Sequence, residues 1–254
     1  MLWAGSEPSQ IYLGQTRVGV WSAASPDVGA KWLSAESAQD GWARGIELLR
    51  QDGQRKRQRV KVWLSGALAR PFLFEPVQGL RRWSEALQVA AGLAPDATGL
   101  EGPCDVWLDD WAPGKPCVAV AVDRGLRELI ESSAKAEKLR LTAIRPWWAE
   151  ALREVVRAEA STTGLLAVEE VDALTVLSGD GGVLAAASCY SPRPDSAQTE
   201  ALLTRALMAA NVMSANGHRA RLREEEALGG REGTSEAVAI GPVVPFGVCL
   251  EQIT

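Results

Sequence analysis

Histidine occurs once in these 254 residues, as His218, and the four cysteines, Cys104, Cys117, Cys189 and Cys249, form no CxxC pair. Zinc sites and disulfide frameworks need such side chains at close, repeated spacing. Neither is expected, no metal site is read from the sequence, and each cysteine reads as a small apolar core residue. No apolar run reaches the roughly 18–20 residues of a membrane-spanning helix. Residues Met1 to Gln10 lack the basic start and apolar centre of a secretory leader, so the chain reads as cytoplasmic.

Catalytic motifs are equally scarce. Ser65-Gly66 and Ser178-Gly179 lack the GxSxG context of a nucleophile elbow, and His218 lies in a polar Asn216-Gly217-His218-Arg219 stretch that reads as an exposed turn. Gly179-Asp180-Gly181-Gly182 lacks the GK[ST] ending of a phosphate loop and leads into a strand, so it reads as a hairpin turn. The net charge of −5 sets the chain as a whole against phosphate backbones. No nucleic-acid partner is expected.

What is present is an ordinary globular composition, 46% apolar and 23% charged, with ten tryptophans against three phenylalanines and two tyrosines. Ile11 to Trp21 alternates as a strand pair bent at Gly14-Gln15, with a short strand near Ala30 to Leu33 and a helix through Trp42, Ile46 and Leu49. The basic run Gln54-Arg55-Lys56-Arg57-Gln58-Arg59 precedes the strand Val60–Gly66 and reads as a solvated loop or as a contact for an anionic protein or lipid. An extended segment, Ala67 to Phe74, follows. A helix from Gln78 to Ala91 is expected to carry Leu80, Trp83, Leu87 and Ala91 inward and to stop at Gly92.

Strands at Cys104–Leu108 and Cys117–Val122 flank a Pro-Gly turn, and Asp123 can cap the next helix. A strand at Leu139–Ile144 then leads to a helix from Trp147 to Ala158. A second block opens near Thr163, with strands at Leu165–Glu169, Val171–Leu177 and Val183–Cys189 and a helix over 195–215. Beyond it a charged, Gly-rich loop over Arg219 to Gly233 with a helical piece around Glu224 to Leu228, and a last strand at Ala237–Pro242, are expected. Hairpins followed by interleaved helices and strands argue for α/β architecture, with mixed sheets flanked by helices. Two related blocks are expected, 1–160 and a shorter 161–254.

Two aromatic groups stand out as candidate partner-binding residues. Trp107, Asp109, Asp110 and Trp111 place acid beside indole, which suits either a basic peptide or a plain solvated turn. Trp147 and Trp148 are adjacent on a helix and so point about 100° apart. One should pack inward, and the other is either covered by the second block or offered to a partner.

The order of these pieces resembles the actin-like (ribonuclease-H-like) superfamily, and within it the platform proteins of type IV pilus and type II secretion systems, PilM and the cytoplasmic part of GspL. The likeness is carried by Ile11-Tyr12-Leu13-Gly14-Gln15-Thr16-Arg17-Val18, Val62-Trp63-Leu64-Ser65-Gly66-Ala67, Val118 to Leu126, Leu141 to Pro146, and Glu170 to Leu177. Nucleotide-binding members have an acidic residue before the Leu-Gly of the first hairpin. Tyr12 stands there in this chain, and Ala173-Leu174 follows Asp172 where glycine is usual. The resemblance thus implies a degenerate nucleotide site near Tyr12, Gly14, Thr16 and Asp172, with no cofactor. It implies a non-catalytic cytoplasmic adaptor that binds a peptide of an inner-membrane component or an assembly ATPase. A nucleotide-dependent member rebuilt around Thr16 and Asp172, and an unrelated metabolic enzyme, are the competing readings.

Overall fold

The computed structural model of the protein describes residues 7–24, 29–51, 58–75, 77, 79–109, 111–158, 164–180, 183–210, 217–222 and 248–252. The opening alternation folds into a hairpin of β1 (Ser9–Leu13) and β2 (Arg17–Trp21), with Ile11 opposite Val20 and Tyr12 opposite Gly19. Strand β3 (Lys31–Ser34) pairs with β2. Helix α1 (Ala38–Gln51) turns Trp42, Ile46 and Leu49 inward and carries the chain to β4 (Arg59–Leu64), which lies parallel to β1. Crossovers of this kind are how parallel neighbours are joined.

The chain then leaves this sheet to build a smaller one. Strand β5 (Ala69–Phe74), helix α2 (Trp83–Thr98), β6 (Cys104–Leu108) and β7 (Cys117–Asp123) form a three-stranded antiparallel sheet in the order β5-β7-β6. The helix packs Ala86, Ala90 and Ala94 with Phe72, Phe74 and Cys117. It begins later than the sequence suggests, runs through Gly92, and ends at Gly99, whose left-handed backbone (φ 67°) brings its N–H to the Pro95 carbonyl at 2.7 Å. Small residues at i, i+4, i+8 define the buried face, so the expected Leu80–Trp83 stripe is corrected and Trp83 is 45% exposed.

Asp123 caps α3 (Arg124–Ala136), its Oδ1 accepting from the Leu126 N–H at 2.6 Å. Strand β8 (Arg140–Pro146) returns to the first sheet parallel to β4, giving the order β3-β2-β1-β4-β8, and α4 (Trp147–Ala158) follows.

The remaining elements repeat the opening theme. Strands β9 (Gly164–Glu169), β10 (Leu174–Asp180) and β11 (Val183–Tyr190) form an antiparallel meander, α5 (Ser196–Ala210) crosses over, and β12 (Gly217–Leu222) lies parallel to β9. With β13 (Val248–Gln252) the order is β11-β10-β9-β12-β13, matching β3-β2-β1-β4-β8 element for element. The match breaks only at the last strand, because β13 is antiparallel to β12 whereas β8 is parallel to β4.

Two expectations change in this region. His218 is buried within β12, where His218, Ala220 and Leu222 alternate inward, so the exposed-turn reading is corrected. Arg219 to Leu222, read as part of a charged loop, belongs to the same strand. The last strand is at 248–252; the expected helix at Glu224–Leu228 and strand at Ala237–Pro242 lie outside the described residues.

A continuous apolar core joins the two large sheets, running from Ile11, Leu13 and Leu64 to Leu166, Val168 and Leu177. Trp147 and Trp148 sit in it, 0% and 2% exposed, and the Trp148 Nε1–H donates to the Ala69 carbonyl at 2.8 Å. Neither indole is offered to a partner, which corrects their placement among candidate contact residues.

Candidate functional site

Three turns converge between the two five-stranded sheets: Gly14-Gln15-Thr16 after β1, Ser65-Gly66 after β4, and Glu170-Val171-Asp172-Ala173 between β9 and β10. The first two are fastened by a Ser65 N–H bond to the Leu13 carbonyl at 2.9 Å. The Tyr12 hydroxyl crosses to the third turn and donates to Glu170 Oε1 at 3.0 Å, its ring tilted against Trp32 with centroids 5.5 Å apart. The Gly66 N–H donates to Glu170 Oε2 at 2.8 Å. Asp172 Oδ2 accepts from the Gln15 N–H and, at 3.3 Å, from Ser65 Oγ. Cys189 on β11 closes the far side, its thiol donating to the Gly66 carbonyl at 3.1 Å.

The turns meet so closely at Gly14 and Gly66 that neither position could take even a methyl group unchanged. A Cβ on Gly14 would stand 2.7 Å from Asp172 Oδ2, and one on Gly66 would stand 2.9 Å from Glu170 Oε2 and nearer still to Thr175 Oγ1. Backbone N–H groups that could cradle an anion at Gln15 and Gly66 are already spent on the chain's own carboxyls.

Burial sets the charge of the site. It pushes Glu170 up to about 8, helped by the Asp172 charge and opposed by the Gly66 and Tyr12 hydrogen bonds. Burial also raises Asp172 against the bonds from Gln15 and Ser65, and Asp172 Oδ1 is buried without a partner among the described residues. At neutral pH Glu170 therefore keeps its proton. A hard divalent cation needs several charged, open oxygen ligands; Glu170 is buried and bonded to Tyr12 and Gly66, and Asp172 is bonded to Gln15 and Ser65, so the residues present do not fit Mg²⁺. The Cys189 thiol, pushed up to about 12 by burial, is no nucleophile.

Sequence reasoning placed Tyr12, Gly14 and Asp172 together, and the structure brings them together. Thr16 is exposed at the tip of its turn. Glu170, Ser65 and Gly66 were missed as site residues. The available signal was the acidic pair Glu169-Glu170 ending a buried strand just before a turn.

The candidate aromatic residues lie on the small sheet instead. Trp107 is half-buried, Asp109 is exposed, and Trp111 meets Trp83 edge-on with centroids 6.0 Å apart; Asp110 lies outside the described residues. Trp107 lines a groove of about 560 Å³ between the edge strand β6, α2, α3 and β8. Asp105 on its wall accepts from Arg124 Nε at 3.1 Å and from Arg127 Nε. Burial would raise this carboxyl, but the two arginines outweigh it and hold Asp105 below its ordinary value.

Two five-stranded sheets of matching order, each opened by a hairpin and meeting at their hairpin turns, define an actin-like fold. The chain is similar to a protein of Bacteroides thetaiotaomicron described as having an actin-like ATPase fold and unknown function. The two share 8% identity over 85% of this chain and 82% of that one, with a TM-score of 0.52. It is also similar to the cytoplasmic domain of EpsL, an inner-membrane component of the type II secretion system of Vibrio cholerae. That likeness has 16% identity, a TM-score of 0.46, and covers 77% of this chain and 73% of that one. A third similarity is to the PilM–PilN type IV pilus biogenesis complex, at 12% identity and a TM-score of 0.49, covering 80% of this chain and 68% of that one. No family model matches the sequence, and no curated protein does.

Proposed function

We propose that this protein is a non-catalytic actin-like scaffold on the cytoplasmic side of a bacterial pilus or secretion assembly platform. Its two blocks, 1–160 and 161–254, are held at a fixed setting by the chain itself. The observation that carries this reading is the closure of the cleft: Tyr12 is hydrogen-bonded to Glu170, and Gln15 and Ser65 to Asp172, where a nucleotide-binding relative would keep space for Mg²⁺ and phosphate. The bacterial setting rests on the order of sequence motifs set out above.

The partner is a peptide of an inner-membrane component or a segment of an assembly ATPase. It lies along β6, the edge strand of the small sheet, beside the Trp107 groove. Pairing with the edge gives affinity, and the groove gives choice among side chains.

Isothermal calorimetry with Mg·ATP tests the closed cleft. No heat is expected at millimolar nucleotide, and micromolar binding that Asp172→Ala abolishes would overturn the reading. Trp107→Ala should reduce peptide capture from a bacterial membrane fraction at least tenfold without loss of fold.

A further inference from the structure

A groove of about 620 Å³ lies between the end of β11, the loop of residues 191–194 and one face of α5. Gln198, Ala201, Leu202 and Arg205 line it from the helix at i, i+3, i+4 and i+7 spacing, and so share that face. Two arginines, Arg193 and Arg205, belong to the lining and no carboxyl does, in a chain whose net charge is −5. The acids closest in sequence are engaged elsewhere. Asp195 caps α5, its Oδ1 accepting from the Gln198 N–H at 2.8 Å, and Glu200 is paired with Arg219 at 2.6 Å.

The two arginines are held differently. Arg193 donates from Nη2 to the buried Glu169 at 2.9 Å and from Nη1 to the Glu170 carbonyl at 3.1 Å. A guanidinium carries five N–H groups in one rigid plane, so two bonds fix its orientation and leave the rest for an acceptor in the groove. Its side chain is 40% exposed there. Arg205 is exposed and makes no ion pair among the described residues. Apolar surface continues past them. Tyr190 in the lining is 36% exposed, and Met208, one turn beyond Arg205 on the same side of α5, is 76% exposed. The outward side of a surface helix is ordinarily polar. Helix α5 instead exposes Ala197, Ala201, Met208 and Ala209, and buries Thr199 and Leu203 alone.

We propose that this groove docks a peptide segment of a partner protein in which carboxylates alternate with apolar side chains. Arg193 and Arg205 supply the positive charge that meets the carboxylates, and the absence of an acid from the lining turns a basic segment away. The apolar side chains of the segment cover Tyr190, Leu202 and Met208. A free small acid would leave Met208 bare, so the exposed stripe along α5 selects a peptide. This surface belongs to the second large sheet and shares no residue with the Trp107 groove. It therefore goes beyond the scaffold reading and stands or falls separately from it.

The test is fluorescence polarisation of the full chain with three labelled peptides, which alternate leucine with glutamate, with glutamine or with lysine. The glutamate peptide is expected to bind about tenfold or more tightly than the glutamine peptide, and the lysine peptide not at all. Arg205→Gln should weaken the glutamate peptide about tenfold, and Met208→Ser about threefold. Both variants should keep the parent's circular dichroism and melting temperature, because both side chains are exposed. Trp107→Ala should leave the affinity unchanged. Equal binding of the glutamate and glutamine peptides, no binding of either, or an Arg205→Gln variant that binds like the parent would each sink the proposal. So would full displacement of the peptide by millimolar glutarate, or loss of binding in Trp107→Ala, which would move the peptide to the other groove.

Discussion

At the scale of single residues, Glu170 sets how this protein responds to pH. Its folded-state value of about 8 lies above the ordinary 4.5, so the folded chain holds a proton that the unfolded chain releases across that interval. Stability from this group is full below about pH 4.5 and is lost as pH rises through 8. Glu170→Gln keeps both hydrogen bonds, its amide oxygen accepting from Gly66 and its amide nitrogen facing the Tyr12 oxygen, and never ionises. Urea denaturation should give similar midpoints for variant and parent at pH 5 and a more stable variant at pH 8. Gly66→Ala should behave oppositely, costing about 1–3 kcal/mol at any pH because the new methyl has nowhere to go. Tyr12 and Asp172 were legible because each sits at a fixed offset from a hairpin turn. Glu170 was not, since its meaning depends on a hydroxyl 158 residues away.

At the scale of elements, two changes in helices separate local from tertiary control. Asp123 caps α3, and Asp123→Ala should lower stability by about 1 kcal/mol in thermal denaturation. Gly92 lies within α2 with nothing near the position of a Cβ, so Gly92→Ala should raise stability by about 0.5–1 kcal/mol. That glycine was read as a stop because local propensity disfavours it in a helix. The alanine face at 86, 90 and 94 overrode it by packing on the small sheet. The Asp123 cap was legible for the converse reason: side chain and helix start are adjacent in sequence. His218 misled in the same way as Gly92, since its polar neighbours suggested a turn while its pairing partners, Leu166 and Gln252, are far away along the chain.

At the scale of the whole molecule, the two large sheets share a core and interlock at their turns. Hydrogen exchange should find the Gln15 and Gly66 amides protected to the level of global unfolding, and adding Mg·ATP should leave both rates unchanged. The consequence of the Tyr12–Glu170 contact reaches further than affinity. A cleft that fills and empties gives a protein its own clock, since each turnover reports elapsed time to whatever is attached. This chain ties its turns together with its own side chains, and a scaffold built that way would hold a constant angle in place of such a clock. On the scaffold reading proposed above, any rhythm would have to be set from outside, by the arrival and departure of partners.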